Sequence, residues 1–210
     1  MSDDRPKDIF TEPDADPDTL ANLGPLRPLA GVWTSDRGLD THPVAVGAEE
    51  STYVEHYELQ PIDAQTNGPQ LFYGLRYHTH ILEVSKQETF HDQVGYWLWE
   101  PATNAVVFTL GIPRAQVAIA GGSAEPASRD FEVRARRGHP VWGISSGPFL
   151  DEAFRTLSFR LHVTIESDMC WSYEQETVLQ VQGVPEPFGH TDRNRLTKVA
   201  EPTPNPMALV

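Results

Sequence analysis

Cysteine is nearly absent. One residue, Cys170, stands in 210, which excludes an intramolecular disulfide and leaves no Cys-x-x-Cys pair for zinc or an iron–sulfur cluster. A reducing cytoplasm is the expected compartment. Basic charge is scarce as well: 16 Lys and Arg stand against 30 Asp and Glu, a formal charge of −14 that stays negative even with all eight histidines protonated. Such a chain repels phosphate backbones and anionic lipid surfaces, so neither nucleic acid nor a membrane is an expected partner. No run of about 18 apolar residues exists, and the acidic first residues lack the basic start and apolar stretch of a signal peptide, so a soluble, unexported chain is expected. Nucleophile signatures are missing too. Ser145, Ser146 and Cys170 stand in no Gly-x-Ser-x-Gly or catalytic-cysteine pattern.

Helical periodicity longer than a turn or two is also lacking, whereas alternation with a period of two recurs along the chain. The clearest pair is VGYWLW and AVVFTL, joined by EPATN, a turn-suited segment with Pro, Thr and Asn. In TLSFRLHVTI, Leu157, Phe159, Leu161, Val163 and Ile165 alternate with Ser158, Arg160, His162 and Thr164, so one face is expected to be buried and the other wet. ESDMC turns that strand into WSYEQETVLQVQG. Earlier, ESTYVEHYELQ and QLFYGLRYHTHILEV flank the loop-like PIDAQTNGP. AGGSAEPASRD and RRGHPVWGISSGPFLDEA read as connections that cover a barrel mouth or edge. Meandering strands of this number avoid exposed edges by closing on themselves. The expected fold is therefore all-β, an antiparallel up-and-down barrel of about eight to ten strands, wide enough to hold a ligand. Residues 1–22, rich in Asp and Pro, are expected to form a disordered acidic tail, residues 23–199 the barrel, and residues 200–210 a flexible tail.

The barrel begins with LRPLAGVWTSDRG. Gly31 permits a tight backbone approach and Trp33 is placed to plug one end with a large apolar ring. His42, His56, His139 and His162 fall in loops or on polar strand faces and read as solvated. His78 and His80 share a face at i and i+2, a spacing suited to a metal on a strand, although no third ligand is evident. Glu49 and Glu50 are adjacent and point to opposite faces, which argues against paired-carboxylate catalysis.

The stretch FHDQVGYWLWEPATNAVVFTLGIPRAQVAIAGG, the Gly-x-Trp start, the EE pair, LFYGLRY, SYEQET and the closing GVPEPFGHTDRNRL keep the order found in the nitrobindins. Over residues 23–199 the chain resembles that haem-binding β-barrel family, which includes barrels like the THAP4 C-terminal domain and shares the lipocalin and fatty-acid-binding-protein type of fold. The resemblance implies a haem b whose iron is held by His190, with His91 as the catalytic residue on the open side of the haem. It implies further haem contacts from Trp33 and from Gly95, whose missing side chain would leave room for a flat macrocycle. Alternation from His190 points Asp192 and Asn194 inward, and Asp192 would then orient the imidazole through its other ring nitrogen. The implied activity is nitric oxide binding and conversion of peroxynitrite to nitrate. A homodimer is among the assemblies the resemblance allows. The alternative reading, which the residues equally accommodate, is a non-catalytic carrier of a lipid or other apolar small molecule, with His91 and His190 as hydrogen-bonded rim residues.

Overall fold

The computed structural model describes residues 8–84 and 88–210. In chain order it contains α1 (Thr19–Asn22), a 3-10 segment (Gly24–Leu29), β1 (Gly31–Pro43), β2 (Ala48–Pro61), β3 (Gln65–Asn67), β4 (Gln70–Glu83), β5 (Glu88–Glu100), β6 (Ala105–Ile112), β7 (Gln116–Ser123), β8 (Asp130–Arg136), β9 (Ile144–Ser146), α2 (Pro148–Ala153), β10 (Phe154–Ser167), β11 (Cys170–Val181), β12 (Phe188–Ala200) and a second 3-10 turn (Pro206–Leu209). Among the described residues ten strands pair antiparallel in the order β2-β1-β12-β11-β10-β8-β7-β6-β5-β4, and β4 pairs back onto β2 to close the ring. Closure removes the free edges that so many amphipathic strands would otherwise expose. The two three-residue strands are accessory: β3 lies on β4 and β9 on β7. β3 falls inside the expected loop PIDAQTNGP, and the first residues of AGGSAEPASRD end β7 instead of connecting strands.

Three irregularities decide which side chains face inward. In β1, Ser35 pairs with Glu55 but Gly38 pairs with Tyr53, so one residue is inserted at Asp36–Arg37. Both of those side chains stand in solvent. A bulge of this kind reverses parity: Trp33 and Ser35 are buried before it, Gly38 and Asp40 after it. In β5 a register shift beside Phe90 lets Phe90 and His91, though adjacent, both line the interior. In β10 a shift between Thr156 and Ser158 makes Thr156 the buried residue and leaves Leu157 half-buried, contrary to the simple alternation of TLSFRLHVTI; Phe159, Leu161, Val163 and Ile165 are buried as that pattern requires.

One end of the barrel is shut. Leu23, which precedes the 3-10 segment, Leu26 and Leu29 within it, Trp33, Leu59 and Leu75 are all fully buried there. Gly31 has φ +136°, and a Cβ on it would lie 2.8 Å from the Ala200 carbonyl oxygen, so the tight approach expected of this glycine is present. Above the plug the interior is filled by rings: Tyr57 stacks on Tyr77 at 5.4 Å, Tyr77 on Phe108 at 5.2 Å, and Trp97 tilts on Phe108 at 4.4 Å.

Parts of both expected tails are anchored in the structure. Residues 1–7 lie outside the described residues, but Thr19 is fully buried, its hydroxyl donating to the Ile62 carbonyl at 2.7 Å. Asn205, also buried, donates to Pro17 O and to Asp63, each at 2.8 Å, and accepts from Thr19 N–H at 3.2 Å. The two ends fasten each other to the β2–β3 connection through side-chain amide bonds, a stabilisation that low apolar content does not reveal.

Candidate functional site

The other end opens into a cavity of about 680 Å³, within the range of small-molecule sites. Its apolar wall includes Phe90, Phe108, Leu110, Phe159, Leu161 and Leu179. Phe149 and Leu150 of α2, with Phe154, border the mouth, so RRGHPVWGISSGPFLDEA supplies the cover expected of it. The opposite wall is polar. Apart from α2 and the turns at Arg114–Ala115 and Gly147, the lining residues come from strands.

His190 faces inward. Along β12 the alternation exposes Thr191, Arg193 and Arg195 and turns His190, Asp192, Asn194 and Leu196 to the interior, in an unbroken register with β11. Its Nε2 donates to Asp40 Oδ1 at 2.6 Å, and His42 Nδ1 donates to Asp40 Oδ2 at 2.5 Å. Asp192 sits 3.8 Å from the same His190 nitrogen and accepts from Gln175 Nε2 at 2.9 Å. The carboxylate that orients His190 is thus Asp40, a correction to the role expected of Asp192. His42, expected to be solvated, is instead a cavity-lining residue on the same carboxylate. The cause in both cases is the β1 bulge, which turns residues 40 and 42 inward.

Electrostatics in this cluster follow from burial and contact. Burial works to raise the Asp40 carboxyl, but hydrogen bonds and charge from His190 and His42 outweigh it and hold Asp40 below the usual carboxylate range. Burial likewise opposes charging His190, yet the Asp40 hydrogen bond and the charges of Asp192 and Asp40 raise it above an ordinary histidine. Asp192, desolvated and beside Asp40, is pushed up to about 7. Ligand atoms of Asp40, His190 and Asp192 lie within 4.8 Å of one another, so the donor set is one that a metal ion accepts.

His91 stands across the mouth, on β5, four steps around the ten-strand ring from β12 through β4, β2 and β1. Its Nε2 is 3.2 Å from Gln93 Oε1, and Gln93 in turn donates to the Tyr77 hydroxyl at 2.7 Å. Burial, with the charges of Arg114 and His190, lowers its pKa and keeps the imidazole neutral. Arg114 borders the cavity near it and donates to the Phe90 carbonyl at 3.3 Å.

The remaining expected site residues lie elsewhere. Trp33 is fully buried in the plug and does not line the cavity. Gly95 faces inward, but a Cβ there would lie 2.0 Å from the Thr109 carbonyl oxygen and 3.0 Å from the Tyr77 ring. Its missing side chain admits the β6 backbone and Tyr77, and Gly95 is not among the residues that line the cavity. His78 and His80 point outward, to Asp92 at 3.1 Å and Thr89 at 3.0 Å.

Glu55, which strand patterning alone did not single out as functional, forms the cavity floor. It is fully buried, its Oε1 accepting from the Thr79 hydroxyl at 2.8 Å and its Oε2 from Tyr173 at 2.9 Å and Asn194 at 2.6 Å. Burial raises its carboxyl above the ordinary range despite these three donors. The sequence signal was present: Glu55 shares a face with Tyr53, Tyr57 and Leu59, an acid on an otherwise buried stripe. Because the folded state binds this proton more tightly than the unfolded chain, Glu55 favours folding at pH below the unfolded value and that contribution fades as pH rises through the folded one. Glu55→Gln keeps the shape, with its amide donating to Thr79. Thermal melts from pH 4 to 9 should show the wild type losing stability over this rise relative to the variant; parallel curves would remove Glu55 as the cause.

A family model described as the THAP4-like, heme-binding beta-barrel domain matches residues 22–198. Among solved structures, that of Rv2717c from M. tuberculosis superposes with a TM-score of 0.60 at 21% identity, covering 89% of this chain and 99% of that one, which shows a shared fold. A search of curated proteins returns no match.

Proposed function

The chain belongs to the THAP4-like haem-binding β-barrel family, and from that premise we propose that it binds haem b in the cavity through His190, takes up nitric oxide, and isomerises peroxynitrite to nitrate. One observation carries the reading: two imidazoles, His190 and His91, face the same largely apolar cavity from strands on opposite sides of the ring.

The residues present fit the group. His190 has one nitrogen engaged by a buried carboxylate, the carboxylate–histidine pairing that supports a metal-ligating imidazole. Arg114, which has no carboxylate partner among the described residues, offers a cation at the rim to the anionic periphery of a porphyrin. When bound, the haem would supply a ferric Lewis acid suited to the isomerisation of peroxynitrite to nitrate, a reaction with no net change of oxidation state. The chain's own contributions are separable. His190 would hold the iron. His91, neutral and braced by Gln93, gives or accepts a hydrogen bond to a small ligand on the open side. Phe90, Leu110, Phe159 and Leu161 keep water from that face.

The apolar wall also suits a lipid. Against a fatty acid stand Glu55, Asp40 and Asp192, which would repel its carboxylate. Hemin titrated into the purified protein should give a saturable, sharp Soret band at one equivalent, and the loaded protein should speed peroxynitrite decay to nitrate. A spectrum of free hemin only, with a neutral lipid recovered by mass spectrometry of an organic extract, would replace the haem reading with the carrier one.

A further inference from the structure

Asp40 is the deepest charged group at the mouth, with no exposed surface. Both its oxygens are taken by imidazoles, Oδ1 by His190 and Oδ2 by His42, and Ser51 Oγ lies 3.4 Å from Oδ2. With His42 and Ser51 on one oxygen the carboxylate is not free to rotate away from the other. A carboxylate only accepts, so the nitrogen facing it, His190 Nε2, carries the proton. The lone pair of neutral His190 then resides on Nδ1, which has no hydrogen-bond partner among the described residues.

We propose that Asp40 is the positioning residue of the histidine that would hold the iron: it fixes the His190 tautomer with the proton on Nε2, leaves Nδ1 as the nitrogen that would take the iron, and strengthens that nitrogen as a donor through its negative charge. This rests on the haem reading above. A carboxylate behind a ligating imidazole increases the ligand's basicity and favours the more highly charged metal. The function of the β1 bulge follows, because without the inserted residue at Asp36–Arg37 residue 40 would face solvent and His190 would have no anionic partner on β1.

The test uses hemin and three proteins: wild type, Asp40→Asn and Asp40→Glu, each checked by thermal melting. Asp40→Asn is expected to weaken hemin binding about 10- to 100-fold. It should also lower the ferric-to-ferrous ratio at fixed potential about tenfold, a rise of about 59 mV in the midpoint, with Asp40→Glu recovering part of the difference. A folded Asp40→Asn with unchanged midpoint and affinity overturns the proposal while leaving the haem reading standing. A wild type that gives no Soret band overturns both. Should Asp40→Asn not fold, nitrogen NMR of ¹⁵N-histidine-labelled wild type without haem, at alkaline pH where the imidazoles are neutral, still decides. A proton on His190 Nε2 supports the proposal, and a proton on Nδ1 overturns it.

Discussion

Replacing His190 with alanine is expected to abolish the hemin Soret band at micromolar protein, whereas His91→Ala keeps it. The two variants differ because the two imidazoles are held differently. His190 stands on a buried carboxylate at 2.6 Å, an anionic support that favours a ligating imidazole. His91 leans on the neutral amide of Gln93 at 3.2 Å and is made less basic by burial. Loss of an outer partner of a metal ligand costs about 10- to 100-fold in affinity, so loss of the ligand itself should exceed about 100-fold. His190→Ala also leaves space for a free imidazole, and added imidazole should restore part of the band. In His91→Ala the loaded protein should release nitric oxide faster, since the side chain able to hydrogen-bond it is gone. The opposite pattern, with binding lost in His91→Ala and retained in His190→Ala, would reverse the assignment of the two walls.

Why His190 was legible in the sequence and its partner was not comes down to parity. Period-two alternation survives wherever the register is unbroken, and β12 pairs with β11 without a shift, so once the resemblance put His190 on the inner face, Asp192 and Asn194 followed it there by alternation. β1 breaks it. The segment TSDRG contains no residue that announces an insertion, because the extra residue of a bulge is accommodated by pairing with Glu55 and Tyr53 on the next strand, well over ten residues away by sequence. His42 was consequently read as solvated and Asp40 was not singled out at all, and with them went the cluster that defines the site. Leu157 failed for the same reason in β10. Gly95 failed differently: a glycine in a strand signals close approach, but the sequence does not say whether ligand, ring or backbone approaches, and here Thr109 and Tyr77 do. The closed barrel itself was readable, since its strands and hairpin turns are local features. The fastening of residues 16–22 to Asn205 depends on contacts between chain ends, which no local pattern carries.

Trp33→Ala is expected to destabilise the barrel by about 3–5 kcal/mol, the usual cost of deleting a fully buried large aromatic, and to lower the melting temperature by roughly 6–20 °C for a domain of this size. Trp33 makes three kinds of contact at the closed end. Its indole N–H donates to the Leu29 carbonyl at 2.8 Å, its ring meets Trp171 edge-on at 6.1 Å, and Lys198 Nζ lies 5.1 Å from its centroid. Trp33→Phe keeps much of the apolar area but leaves the Leu29 carbonyl without its donor, and should cost about 1–3 kcal/mol. The pair of variants also separates stability from ligand binding. Because Trp33 lies in the plug and not on the cavity wall, Trp33→Phe should take up hemin with near wild-type affinity well below its melting point, while His190→Ala, which leaves the buried Asp40 without one of its two imidazole partners, should melt below wild type and take up none even where it is folded. If Trp33→Phe instead lost hemin while remaining folded, the ring would act on the ligand through Trp171, which does line the cavity and which Trp33 supports from behind. Differential scanning calorimetry read beside the Soret titration distinguishes these outcomes, since a plug residue moves only the first measurement and loss of the ligand-holding residue abolishes the second at temperatures where the variant is folded.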